Sequence, residues 1–215
     1  MRPDALAPYE SALHRTGALA LVGDGARWPL EVAKWLAPAD DDDRAVLRRC
    51  QGPVLDVGCG PGRFVRALAE AGLPALGVDI ARAAVELTRG QGGPALGRDI
   101  FDQVPGEGRW PTVLLMDGNI GIGGNVLLLL RRLTRVLRPG GRLIVEAAER
   151  ADLDEVLRVR FAVDGAVQGP EFSWARIGID ALIDTAGRAG LVTEEIFYSG
   201  GRTFGCLRAR AALSR

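Results

Sequence analysis

The sequence predicts an α/β fold on a doubly wound, largely parallel sheet, and three observations carry that expectation. From Gly52 to Glu146 short apolar runs alternate with segments whose apolar residues recur at helical spacing, the rhythm of a parallel sheet covered on both faces. A glycine-rich turn follows the first apolar run and opens a helix. The length of 215 residues, at 47% hydrophobic and 25% charged, suits one domain with one good core.

The first 50 residues read as a cap ahead of that rhythm. Pro8 opens a helix through Tyr9, Leu13 and His14 that ends near Gly17. Residues 19–22 and 26–28 flank Asp24-Gly25, a pair that accepts the positive φ angles of a tight hairpin turn. Pro29 is expected at the first turn of a short helix through Trp35 and Leu36. Asp40 to Asp43, with Arg44, Arg48 and Arg49 behind them, match a helix macrodipole rather than a metal site.

The core rhythm then begins. Residues 53–57 form the first strand and 63–71 a helix; 75–78 the second strand and 81–88 a helix. Residues 94–97 are a weak third strand and 112–116 the fourth. Residues 124–137 are a helix with Val126, Leu129, Leu130, Leu133 and Leu137 at helical spacing, stopped by Pro139-Gly140-Gly141. Residues 142–146 are the fifth strand. An inserted antiparallel hairpin is expected at about 156–177 around a loop at 164–170, then a helix over 179–189. A terminal hairpin, 192–198 and 203–210, closes the sheet edge. The organisation is thus a cap over 1–50, not independent, and one domain over 51–215.

Composition limits the partners. With 27 basic and 27 acidic residues the formal charge is zero, so no surplus exists to meet a phosphate backbone, and nucleic acid is disfavoured. Three cysteines (Cys50, Cys59, Cys206) make no disulfide framework and suit a reducing, cytoplasmic compartment. The N-terminus has no apolar signal region, and no apolar run approaches the roughly 20 residues of a spanning helix. No His, Cys and Asp grouping has metal-ligand spacing, so no metal is expected.

The most informative segment is Val54 to Arg63, VLDVGCGPGR. Glycines at 58, 60 and 62 let backbone approach a ligand closely and aim free helix N–H groups at it. The dinucleotide pattern G-x-G-x-x-G is not met, because position 63 is Arg. Asp56, two residues before the first glycine, would repel a pyrophosphate but suits an ammonium group. Asp79 ends the second strand, where it borders the same crevice and can accept both hydroxyls of a ribose while capping the next helix. Asp99, after the third strand, borders it too and suits an adenine amino group.

These residues resemble the class I methyltransferases that use S-adenosylmethionine (SAM). VLDVGCGPG is similar to the family's first motif, GVDIA to its second, and LRPGGRLIVE to the approach to its fifth strand. The resemblance covers Gly52 to about Glu146, and the terminal strand pair more loosely. It implies a seven-stranded sheet of order 3-2-1-4-5-7-6 with strand 7 antiparallel. It also implies that Asp56, Gly58, Cys59, Gly60 and Gly62 hold the methionine part of the cofactor. Asp79 then binds ribose, Ile80 packs on adenine, Asp99 and Ile100 meet the adenine edge, and Asp117 lies beside the sulfonium.

After the fourth strand, Asp117-Gly-Asn-Ile-Gly-Ile-Gly-Gly124 has neither the prolines nor the aromatic residue that enzymes of this family methylating DNA or protein amines often carry. With zero net charge, that favours a small-molecule acceptor. Asn119 is a candidate to orient it, Asp117 lies at the reacting end, and His14 is a candidate base because the cap is expected over the crevice. Two other readings stand beside the methyltransferase: a SAM-binding partner or regulator without turnover, and a nicotinamide-dependent oxidoreductase. Asp56 and Arg63 weigh against the last.

Overall fold

The computed structural model describes residues 3–15 and 17–210. The core elements are β3 (Val54–Val57), α4 (Arg63–Glu70), β4 (Ala75–Asp79), α5 (Arg82–Gly90), β5 (Ala95–Gly97), β6 (Trp110–Leu115), α6 (Val126–Val136) and β7 (Leu137–Ala147). The chain closes with α7 (Ile179–Arg188), β10 (Leu191–Ser199) and β11 (Arg202–Ala209). Their sheet has the order β10-β11-β7-β6-β3-β4-β5. Counting core strands in chain order, that is 3-2-1-4-5-7-6 read from the other edge, with β11 antiparallel to β7, as expected.

Every residue of β3 and of β6 is buried, because both strands lie mid-sheet with helices on either face. Helix α6 buries Leu129, Leu130, Leu133 and Val136 in the main core, and Asn125 caps it by accepting from the Leu128 N–H at 2.9 Å. Helix α6 ends at Val136, and β7 starts at the next residue, so Pro139-Gly140-Gly141 lies inside the strand element rather than in a separate stop.

The cap differs from its expected form. Helix α1 (Ala7–His14) is preceded by a 3-10 turn, Pro3–Leu6, and β1 (Leu19–Gly23) turns through Asp24 and Gly25, both at positive φ, into β2 (Ala26–Leu30). Pro29 lies within β2 and not at a helix start; it faces Ala20 in register, and α2 (Val32–Leu36) begins three residues later. Strand β2 is an edge, which tolerates a proline lacking its N–H.

The insertion hairpin is β8 (Asp154–Val163) and β9 (Ala166–Ile177), joined by Asp164-Gly165 rather than by a loop over 164–170. It does not stand alone. Strand β1 pairs antiparallel with β8, giving a four-stranded sheet of order β2-β1-β8-β9. Segments more than 130 residues apart therefore make one layer, whose core includes Leu19, Leu21, Leu157, Val159, Phe161 and Phe172. That layer rests on α5 through Ala81, Ala83 and Ala84, and Glu10 accepts from the Ala83 N–H at 3.2 Å.

Helix α3 (Asp41–Leu47) belongs to the main sheet and not to the cap. Its Ala45, Val46 and Leu47 pack with Val54, Phe64, Leu114 and Phe204. Asp40 and Asp43 form a reciprocal capping box, so the acidic run does start a helix. Asp43 departs from the macrodipole reading: it is fully buried and pairs with Arg63 and Arg202.

Candidate active site

A cleft opens between the carboxyl ends of β3, β4 and β6 and the underside of the second sheet. Its floor is the glycine turn. Gly58 and Gly60 have φ of 71° and 52°, a region that glycine enters without strain. A Cβ on Gly58 would stand 2.5 Å from the Asn119 side-chain nitrogen, and one on Gly60 would stand 3.3 Å from the Tyr9 hydroxyl. Gly62 serves packing instead: it starts α4 at φ 87°, and a Cβ there would strike Thr88 at 2.7 Å. It is outside the cleft wall.

Asp56, at the heart of the turn, is 2% exposed and its Oδ2 has no hydrogen-bond partner. Burial, with Asp117 next in size, pushes its carboxyl up to about 7. Asp79 holds the turn's shape: it accepts from the Gly60 N–H at 2.9 Å and from the Ala81 N–H at 2.8 Å. Desolvation raises its pKa in spite of those bonds. The Cys59 thiol is buried and pushed well above the usual range, so it stays neutral there.

Ile80, Asp99 and Ile100 all face the cleft, with Phe101 beside them. One Asp99 oxygen accepts from the Phe101 N–H at 3.0 Å, and Ile100 is nearly buried. Asp117 faces it from the end of β6, in a left-handed backbone conformation at φ 53° that turns the chain sharply after the strand.

The catalytic candidates fare unevenly. His14 is exposed and outside the cleft wall, at the outer end of α1, so it is not placed to serve as base. Asn119 lines the cleft, but its amide nitrogen donates to the carbonyls of Gly58 at 2.8 Å and Val57 at 3.2 Å. That nitrogen locks the loop to the glycine turn. The loop's glycines also serve contacts within the protein: a Cβ on Gly121 would stand 2.3 Å from the Ala175 carbonyl, and one on Gly124 2.5 Å from the Ser173 Cβ. Close approach of β9, more than access to a ligand, explains those two.

A buried ionic network under the floor was invisible in the sequence. Arg63 reaches Asp117 at 2.6 Å and Asp43 at 3.2 Å. Arg202, from β11, reaches Asp43 at 2.8 Å and Glu146 at 2.7 Å, and Glu146 accepts the Asp117 N–H at 2.7 Å. The first-motif segment flags Arg63 only as a break in the dinucleotide pattern; nothing local marks Asp43, Glu146 or Arg202 as members of one network with it. Among the described residues, no group of three His, Cys, Asp or Glu side chains is placed to hold a metal ion. No described helix is long and apolar enough to cross a membrane.

Comparison with known proteins agrees with this geometry. Residues 54–141 match the model of a methyltransferase domain. No curated protein sequence is significantly similar to the chain. The fold is similar to that of a SAM-dependent methyltransferase from Bacteroides fragilis solved with S-adenosyl-L-homocysteine, at TM-score 0.80 and 21% identity over 98% of both chains. It is also similar to the 1,6-didemethyltoxoflavin N1-methyltransferase of Burkholderia thailandensis, at TM-score 0.59 and 18% identity over 79% of this chain and 77% of that one. A sugar N-methyltransferase from Streptoalloteichus aligns at TM-score 0.58 and 21% identity over 82% of this chain and 88% of that one.

Proposed function

We propose that this chain is a SAM-dependent methyltransferase that methylates a small, largely uncharged acceptor held under the second sheet; the methyltransferase-domain match over residues 54–141 and the likeness of fold support the reading. The observation that carries the reading is the orphaned Oδ2 of Asp56, a buried acceptor on a residue that lines the cleft. An unpartnered buried carboxylate oxygen is costly unless a ligand donor meets it, and the α-ammonium of SAM is such a donor. The residues fit the cofactor along its length: Asp56 with Gly58, Cys59 and Gly60 at the amino acid end, Asp79 at the ribose, Ile80, Asp99 and Ile100 at the adenine, and Asp117 near the reacting end.

When bound, SAM would supply a methyl group on a sulfonium: an acceptor lone pair would bond to that carbon in line as the C–S bond breaks and the neutral thioether leaves. The protein's part is positional. The glycine turn and Asp79 fix one partner, while the second sheet closes over the other and keeps water out, so the reactants meet at near-attack distance. Tyr9 projects from the cap over Gly60, and its hydroxyl pKa is pushed well above the usual value by burial and then by Asp79. It therefore stays a neutral hydroxyl, able to donate a hydrogen bond, and is not a base. Small-molecule neighbours such as the 1,6-didemethyltoxoflavin and sugar N-methyltransferases support this acceptor size, and so does the balanced charge.

Two assays test the reading. Titration calorimetry should show SAM binding and no comparable heat with NAD. Transfer of labelled methyl from SAM into a small-metabolite extract should follow. Binding without any transfer would instead support a SAM-binding regulator.

A further inference from the structure

We propose, resting on the function just given, that the acceptor is a planar, uncharged aromatic or heteroaromatic ring system, gripped by a band of aromatic side chains that cap and insertion hairpin build together. Five rings run in sequence along one wall of the cleft: Trp35, Tyr9, Phe161, Phe172 and Trp174. Tyr9 meets Trp35 edge-on at 6.0 Å and stacks on Phe161 at 6.4 Å with the planes 15° apart. Phe161 lies 5.1 Å from Phe172, and Phe172 meets Trp174 edge-on at 6.3 Å. Phe101 borders the same cleft from the loop after β5.

The band comes from four elements far apart in the chain. Tyr9 is on α1, Trp35 on α2, Phe161 on β8, and Phe172 with Trp174 on β9, two residues apart and so on one face of the sheet. Phe161 and Phe172 are buried and fill the core of their own layer. Packing accounts for only part of the rest: Tyr9, Trp35 and Trp174 lie against that core but are not fully buried by it. Their remaining surface bounds the cleft.

Charge narrows the class further. The wall formed by the cap, β8 and β9 holds Leu6, Leu21 and Leu30 beside the five rings and no charged side chain. The charged side chains of the cleft, the carboxylates Asp56, Asp79, Asp99 and Asp117 and the arginines Arg63 and Arg98, lie on the sheet side. On that wall an anionic acceptor would meet no cation, since both arginines lie across the cleft, and a cationic one would be pressed against a sulfonium. A flat neutral ring meets neither penalty and offers its π faces and edges to rings already set at stacking and edge-on angles.

A matched pair of probes separates planarity and neutrality from size. Isoquinoline is flat and largely neutral at pH 8; decahydroisoquinoline has the same carbon and nitrogen skeleton but is puckered and cationic. In protein saturated with S-adenosylhomocysteine, calorimetry should show isoquinoline binding at least about tenfold tighter. Trp174→Leu should weaken isoquinoline by about tenfold while homocysteine-nucleoside affinity stays within about twofold. If that variant does not fold, Trp35→Leu provides the same comparison. Equal or reversed ranking of the two probes, or unchanged isoquinoline affinity in the variant, overturns the acceptor class and leaves the cofactor reading standing. Failure of the wild type to bind S-adenosylhomocysteine overturns both.

Discussion

The Arg63 guanidinium, at the first residue of α4, donates from one nitrogen to both oxygens of Asp117, at 2.7 and 2.6 Å, across 54 residues of sequence. That contact ties the helix behind the glycine turn to the end of β6, the two structures between which the reacting end of the cofactor is expected. Arg63 is 3% exposed, and its Nε has no partner. Its Nη1 has only the ion-pair approach to Asp43 at 3.2 Å. The network thus sets the floor of the cleft rigidly, through charges that are expensive to separate.

Removing one member should show that expense. Arg63→Met leaves Asp43, fully buried, with Arg202 alone and strips Asp117 of its closest cation. Breaking a buried pair typically costs about 3–5 kcal/mol; the lower end is expected here because the Asp117 side chain keeps 21% exposure. Urea denaturation of wild type and variant measures it. A loss below about 1 kcal/mol, the range of a surface pair, would mean the network is not a structural floor.

Asp56 sets the expected pH dependence. Its folded pKa, raised to about 7, lies above the unfolded value near 4, so between those limits the ligand-free native state binds the extra proton. Stability from this group is therefore greatest below pH 4 and falls as pH rises towards 7, with no further change above. Binding of SAM runs the other way, because the ammonium needs the ionised form. Its affinity should rise with pH by up to about tenfold per unit below 7 and level off above. Asp56→Asn should flatten that profile in calorimetry from pH 5.5 to 8.5; a slope that survives in the variant would assign the titration elsewhere.

Asp79→Ala should weaken SAM by about 1–3 kcal/mol, the scale of lost charge-assisted hydrogen bonds. It also frees the Gly60 N–H, which Asp79 now holds at 2.9 Å, so part of the loss is a looser turn. A cofactor analogue lacking the 2′ and 3′ hydroxyls separates the two effects. If deleting the hydroxyls costs as much affinity in the variant as in the wild type, Asp79 does not read the ribose.

The joint between cap and insertion is equally open to test. A Cβ on Gly23 would stand 2.2 Å from the Arg158 carbonyl, so Gly23→Val must part β1 from β8. A stability loss of about 1–3 kcal/mol is expected from such a forced contact, with a fall in methyl transfer larger than the fall in SAM affinity. Equal falls in both would mean that the second sheet does not act on the acceptor in particular.

The core was readable because its signals are local. The buried strands β3 and β6 are short apolar runs, and the turn at Asp56 to Gly62 carries three alternating glycines, more than a plain strand-to-helix turn needs. The cap was readable only in pieces. Nothing in residues 19–22 announces a partner at 160–163, since antiparallel pairing of distant segments leaves only period-two patterning in each. Pro29 misled because a proline suits an edge strand as well as a helix start. His14 drew attention as the sole histidine, but its place on the outer face of α1 follows from packing of Ala12 and Leu13, which turn the other side inward. The network around Arg63 draws on α3, β7, β11 and the turn after β6, and only tertiary structure brings them together.

The central claim is that the turn from Asp56 to Gly60 cradles the methionine part of SAM, and calorimetry on Gly60→Val tests it most directly. The added side chain enters a space bounded by the Tyr9 hydroxyl, at a φ of 52° that only glycine adopts freely. With folding verified by near-ultraviolet circular dichroism, and Gly60→Ala as the milder companion, the account predicts SAM binding in the wild type, weaker binding in Gly60→Ala and none in Gly60→Val. Unchanged SAM affinity in folded Gly60→Val would contradict it.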